Sequence, residues 1–261
     1  MIVNRKIAIV TGTSRLKGIG RAICIELAKN DIDIFFTFWS EYDKQMPWQT
    51  DDNEPDLIQA EISALGVRCE KLEFNFLGKE GVEALLNEVK NKLGFPTILV
   101  NNATYSTQTS IDTITAEELD KHYTVNFKVP ALLTAEFVKQ YQGHKNGRII
   151  NLTSGQTLSF MSNEVAYATT KGAIETLTRT ISQEIAKKGI TINAVNPGLT
   201  DTGWLDEKQK RIFSERFPMG RLGQPEDVAK LISFLVSENA EWITGQVIHS
   251  EGGFVREHYG S

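Results

Sequence analysis

The chain has 261 residues, 41% hydrophobic and 23% charged, an ordinary balance for a globular protein with ample length for a large buried core. A formal net charge of −5 argues against a nucleic-acid partner, and no apolar run approaches a membrane span. Cys24 and Cys69 each fall within an apolar-patterned element, so buried thiols are expected rather than a disulfide; with no signal-like apolar region at the start, a cytoplasmic protein is expected.

Lys6 to Thr11 is a short apolar run stopped by Gly12 and reads as a buried parallel strand. Gly18-Ile19-Gly20 then opens a helix through about Lys29, with Ile19, Ile23 and Leu27 on one face. Strand, glycine turn and helix begin a dinucleotide-binding unit: glycines let the backbone approach a pyrophosphate, and the helix N-terminus attracts its charge. A tight turn without a ligand is the plain alternative. The second strand is 33–38, and the polar, aromatic segment 39–54, which includes Pro47, reads as a loop. Helices are expected over 55–65, with proline in the first turn, and over 79–93, with a strand over 67–74 between them. Strand 97–100 ends at Asn101-Asn102-Ala103. Thr115 to Glu118 has the form of a capping box and opens a helix to about Tyr141, with a kink expected at Pro130. Strand 147–153, helix 165–187 and strand 190–196 follow; Pro197-Gly198 breaks the last. A polar, aromatic stretch runs to about Gly223, then a helix over 225–236 and a strand over 246–249. Alternating strands and helices predict one α/β domain, 1–261, with a doubly wound parallel sheet of about seven strands.

Ser154 follows the fifth strand, Tyr167 comes thirteen residues later and Lys171 four after that. On a helix, Tyr167 and Lys171 share a face. A neighbouring ammonium favours the phenolate and would lower the phenol's pKa toward a catalytic range, while the serine hydroxyl would bond a substrate oxygen. An amphipathic helix with a surface lysine is the plain alternative. His122, His144, His249 and His258 show no metal-ligand spacing, and structural or surface roles are expected.

Taken together these features resemble the classical short-chain dehydrogenase/reductase family. The carriers are Thr11-Gly12 with Gly18-Ile19-Gly20, Asn101-Asn102-Ala103, Asn126, Ser154, Tyr167, Lys171, Asn196-Pro197-Gly198 and the stretch Arg221 to Ala229. The last two look most like the 3-oxoacyl-acyl-carrier-protein reductase type. The resemblance implies a Rossmann-type sheet, a small carbonyl or alcohol substrate and a homotetramer. It implies Tyr167 as acid in reduction or base in oxidation, Lys171 lowering its pKa and holding the nicotinamide ribose, and Ser154 on the substrate oxygen. Asn126 would organise a water chain from Lys171. Asn102 and Ala103 would pass the adenosine side, though Asn102 would serve equally as a strand brace. Pro197 and Gly198 would wall the nicotinamide, or simply end a strand. Thr200 and Thr202 would reach carboxamide or phosphates, or cap their loop. Asn75 stands where an aspartate usually contacts adenine. The stretch 199–223 would cover the substrate, with Trp204, Phe213 and Phe217 lining or packing it. A dinucleotide-sensing protein on the same fold is the alternative function.

Five residues separate Gly12 from Gly18, two more than the family spacing Thr-Gly-x-x-x-Gly-x-Gly, and Ser250-Glu251-Gly252-Gly253 replaces Val-Asp-Gly-Gly. The second strand ends Thr37-Phe38-Trp39-Ser40, with no acid until Glu41 to hold ribose hydroxyls. The enlarged turn carries Ser14, Arg15 and Lys17, and a guanidinium suits a 2′-phosphate. NADP(H) is therefore expected, with NAD(H) as the alternative. The phosphate contacts are expected from Gly12, Ser14, Arg15, Lys17, Gly18 and Ile19. The long turn and the loop after the second strand are expected to meet over the adenosine, with Trp39 or Tyr42 near the ring.

Overall fold

The computed structural model describes residues 5–46, 48, 50–143 and 145–256, so Pro47, His144 and His258 lie outside the described residues. Seven parallel strands form one sheet in the order β3-β2-β1-β4-β5-β6-β7. They are β1 (Ile7–Val10), β2 (Asp33–Phe38), β3 (Cys69–Glu73), β4 (Ile98–Asn101), β5 (Gly147–Leu152), β6 (Ile190–Asn196) and β7 (Val247–His249). The central strands are buried end to end, as their unbroken apolar runs require when helices cover both faces. Helices α1 (Ile19–Ala28), α2 (Ser40–Lys44), α3 (Glu54–Ser63), α4 (Val82–Lys92), α5 (Ala116–Tyr123), α6 (Val129–Gln140), α7 (Val165–Ala186), α8 (Glu207–Ser214) and α9 (Pro225–Val236) complete the layers.

Two apolar layers sandwich the sheet. On one face Ile23 and Leu27 of α1, Ile58 of α3 and Ile232 of α9 pack on Val10, Ile34 and Ile150. On the other, Leu85 and Val89 of α4, Leu133 and Phe137 of α6 and Ile185 of α7 pack on Ile9, Leu99 and Ile149. Alternate strand residues therefore feed opposite layers.

Three expectations need correction. The loop after β2 contains α2, and the stretch before Gly223 contains α8, whose Asp206 and Gln209 form a capping box. α2 is only five residues, too short to show a period, whereas α8 carried its signal in the Asp206-Gln209 capping box and in Ile212 and Phe213, amid a stretch read as polar and aromatic without a helix. The helix expected over 115–141 does not run as one α-helix, and Pro130 falls in the first turn of its second part, α6. The interruption is one turn of π-helix, Thr124–Lys128, which contains Asn126.

Candidate active site

Because every strand runs the same way, the strand ends bearing Gly12, Asn101, Thr153 and Asn196 meet at one edge of the sheet. Strand order reverses between β1 and β4, which leaves a crevice there. It is a cleft of about 610 Å³ reaching from the glycine turn to the segment after Pro197-Gly198.

At one end, Gly12 has φ +72°, and a Cβ on it would stand 2.6 Å from the Cα of Ala103. Only glycine permits that approach of the first turn to the end of β4. Asn102 ties the two together, donating through Nδ2 to the carbonyls of Thr11 and Gly12 at 2.8 Å each. No side chain caps the first turn of α1, so its amides face the cleft end without a side-chain partner.

The enlarged turn closes on itself through Gly18 N–H to the Arg15 carbonyl at 3.0 Å. Its tip meets the loop after β2, as expected. Arg15 lies over Trp48 at 4.2 Å, pairs with Asp43 at 3.8 Å and donates to the Thr202 carbonyl at 3.0 Å. Burial pushes the Arg15 guanidinium down, against the pull of Asp43 and Glu54. Trp48 donates to Asp43 at 3.1 Å, and Leu16 N–H to Glu54. Trp39 stacks on Tyr42 at 6.0 Å, and the Tyr42 hydroxyl accepts from Ser106 N–H at 3.1 Å. The loop thus crosses the cleft and fastens to the segment after β4.

In the middle, α7 sets Tyr167 and Lys171 one turn apart. Lys171 is 3% exposed, its Nζ donates to the Leu152 carbonyl at 2.9 Å and stands 5.5 Å from the Tyr167 ring. Burial pushes Lys171 down to about 8. The Tyr167 phenol is pushed up to about 12, chiefly by burial, against opposing hydrogen bonds from Ser154 and Thr104. The direction is opposite to the lowered phenol expected: Lys171 is turned to a backbone carbonyl, and desolvation of the phenol dominates.

Asn126 is buried in the π-helical turn. Its Nδ2 donates to the Tyr105 carbonyl at 2.8 Å and to Thr170 at 3.2 Å, while Oδ1 accepts from Tyr105 N–H at 2.7 Å and Thr104 at 3.1 Å. It therefore locks Thr104, which reaches Tyr167, to the helix layer. A π turn inside a longer helix often marks such a functional position. Thr153 and Gln156 both donate to the buried carboxylate of Glu175 and pin the Ser154 segment to α7.

The chain matches, over residues 12–255, the family model described as enoyl-(acyl carrier protein) reductase. It belongs to the short-chain dehydrogenase/reductase family. It is 46% identical to the "uncharacterized oxidoreductase YjdA" of Bacillus subtilis, over 96% of this chain and 97% of that one. It is 31% identical to the 3-oxoacyl-[acyl-carrier-protein] reductase FabG of Aquifex aeolicus, over 95% of this chain and 96% of that one. Among solved structures it resembles the angucycline C-6 ketoreductase LanV with bound NADP: TM-score 0.83, 30% identity, 95% of both chains covered. It is an oxidoreductase of that family.

Most of the residues singled out in this short-chain oxidoreductase line one cleft: Gly12, Ser14, Arg15, Gly18, Ile19, Asn102, Ala103, Ser154, Tyr167, Pro197, Gly198, Thr200 and Thr202. Lys171 and Asn126 sit directly behind Tyr167. Two do not join them. Lys17 is exposed, its stem lying against Gly203, and Asn75 is spent on its own turn, accepting from Leu77 N–H at 2.8 Å. Thr200 lines the cleft but its hydroxyl donates to the Pro197 and Gly198 carbonyls, so it also caps its loop. Trp204 and Phe213 line the cleft, whereas Phe217 packs beneath with Leu205 and Leu222. The sequence reading missed Thr104, Trp48, Asp43, Glu251 and Arg256. Of these Thr104 and Glu251 carried a signal, Thr104 standing where the family has glycine and Glu251 where it has aspartate.

Proposed function

We propose that this oxidoreductase is an NADPH-dependent ketone reductase with Tyr167 as the general acid. The observation that carries the reading is the Tyr167 phenol in the cleft, hydrogen-bonded by Ser154 and Thr104, with the buried Lys171 ammonium 5.5 Å from its ring. A protonated phenol beside a serine hydroxyl is placed to donate to a carbonyl oxygen, and the ketoreductase and 3-oxoacyl reductase relatives support reduction as the direction.

The cradle at the glycine turn fits a dinucleotide: a glycine approach too close for any Cβ, and uncapped helix amides for a pyrophosphate. Gly12, Ser14, Gly18, Ile19, Ala103, Pro197 and Thr202 would hold it, and Arg15 would meet a 2′-phosphate. The bound nicotinamide supplies the hydride. Ser154 and Tyr167 bond the substrate oxygen and polarise its carbonyl; Tyr167 passes its proton to that oxygen as negative charge develops there. Lys171 steadies the resulting phenolate, and Asn126 keeps Thr104 and the adjoining backbone in register. The NADP bound by LanV and the 3-oxoacyl activity of FabG support this cofactor and a 3-oxoacyl or related ketone as substrate.

Residues 199–223 would cover the substrate, supported by Trp204 and Phe213 in the cleft wall. Assembly as a homotetramer is supported by the exposed Leu119, Tyr123 and Leu132 on the α5–α6 surface. A cytoplasmic setting is supported by the two buried, unpaired thiols of Cys24 and Cys69.

Tyr167→Phe tests the mechanism. Turnover of 3-oxoacyl thioesters and diketones, followed by NADPH absorbance, should fall about 10²–10⁴-fold while NADPH still binds. Near wild-type turnover in that variant would refute the role.

A further inference from the structure

The far end of the cleft, beyond Ser154 and Tyr167, has an apolar wall of Met161, Trp204, Phe213 and Phe254. Into it projects an ion pair that the proposed chemistry does not use. Arg256 donates through Nη2 to Glu251 Oε1, and their side chains are 18% and 10% exposed. The pair is built into the site. Glu251 Oε1 also accepts from Asn196 Nδ2 at 2.8 Å, and a Cβ on Gly198 would stand 2.9 Å from Glu251 Cγ. The Arg256 guanidinium lies over the Phe254 ring at 5.3 Å. A Cβ on Gly155, the residue after Ser154, would meet Arg256 Nη2 at 3.1 Å. Glycine there lets the guanidinium lie against the backbone beside the reacting position.

Among the described residues, Arg256 Nε is buried without a partner. A guanidinium has five donors, and a buried donor left unmade is costly. Nε is enclosed and closed to a ligand, so the donors that the group can turn to the apolar chamber are those of its Nη atoms, of which Nη2 already serves Glu251. Its charge is already matched by Glu251, and the Glu164 carboxyl stands near enough to act on Tyr167. The chamber's carboxyls oppose an anion, yet its donors call for an acceptor.

We propose that Arg256, matched by Glu251, is the specificity-determining residue of this reductase: it donates to a second, uncharged oxygen of the substrate, so that neutral oxo-ketones are preferred over free keto acids. The proposal rests on the ketone-reductase reading above. Where one charge is balanced and one acceptor wanted, a neutral carbonyl satisfies the site, whereas a carboxylate meets Glu251.

The test uses the full chain with NADPH and three ketones on one frame: ethyl benzoylacetate, with a neutral second oxygen; benzoylacetate, with a carboxylate; and butyrophenone, with neither. Wild type should favour the ester at least ten-fold in kcat/KM over each of the others. In Arg256→Met the ester-to-butyrophenone ratio should fall at least ten-fold, mainly through the ester's KM. In Glu251→Gln, which keeps an acceptor for Asn196 and Arg256 but unbalances the guanidinium, the benzoylacetate-to-ester ratio should rise at least ten-fold. An unchanged ratio in either active variant, or a wild-type preference for benzoylacetate, overturns the proposal while leaving the reductase standing. If Arg256→Met fails to fold, judged by lost NADPH binding, Glu251→Gln decides alone. Failure of wild type to reduce any of the three overturns the ketone-reductase reading, and the specificity with it.

Discussion

At the scale of single residues the tension lies in Lys171. Its ammonium is buried and pushed down to about 8, so the fold pays a desolvation penalty for a group placed behind Tyr167. The folded state binds this proton less tightly than the unfolded chain does. The penalty is therefore full below about pH 8, shrinks as pH rises toward the ordinary lysine range, and is gone above it. Lys171→Met should raise stability at pH 7 by about 1–3 kcal/mol while abolishing turnover. Thermal melts at pH 7 and pH 10.5 check this: the variant's advantage should narrow at the higher pH, and a variant less stable at pH 7 would contradict it. The phenol behaves in the opposite sense. Because burial holds Tyr167 protonated, reduction should not be lost through its ionisation anywhere near neutrality.

At the scale of elements, the segment after β2 bridges the cleft proposed to hold the dinucleotide. Two fastenings hold it across the cleft, Tyr42 to Ser106 and the Arg15, Asp43 and Trp48 cluster, and Arg15 extends the second to Thr202. Arg15→Ala should weaken NADPH binding about ten-fold and NADH binding much less, since a charge-assisted pair to a 2′-phosphate is absent from NADH. Tyr42→Phe should speed NADPH release several-fold with little change in cofactor preference, because it removes a fastening and no charge. Stopped-flow release and equilibrium titration with both cofactors separate the two effects. A clear NADH preference unchanged in Arg15→Ala would show that the guanidinium serves only Asp43 and Trp48.

At the scale of the whole molecule, α5 and α6 cover one layer of the sheet yet leave Leu119, Tyr123 and Leu132 between 41% and 49% exposed. Apolar side chains on adjoining helices fit a surface that a second copy covers. Light scattering at micromolar concentration should give a mass near four times 29.2 kDa, and a monomer would refute the assembly.

The sequence by itself determined the strand and helix alternation, because fully buried parallel strands demand unbroken apolar runs and their covering helices demand one apolar face. It also determined which residues meet: the glycine turn, the end of β4, Ser154, Tyr167 and Lys171 lie at strand ends or one turn apart on a helix, and a parallel sheet brings all strand ends to one edge. Only the tertiary structure decided their environments. Whether Tyr167 is raised or lowered depends on burial and on where Lys171 points, neither of which a spacing of four residues contains. The five-residue helix α2 and the π-helical turn around Asn126 left no local period in the sequence. Arg256 stands 102 residues from Ser154 in the chain and reaches its neighbour only because β7 lies beside β6 and returns the chain to the cleft.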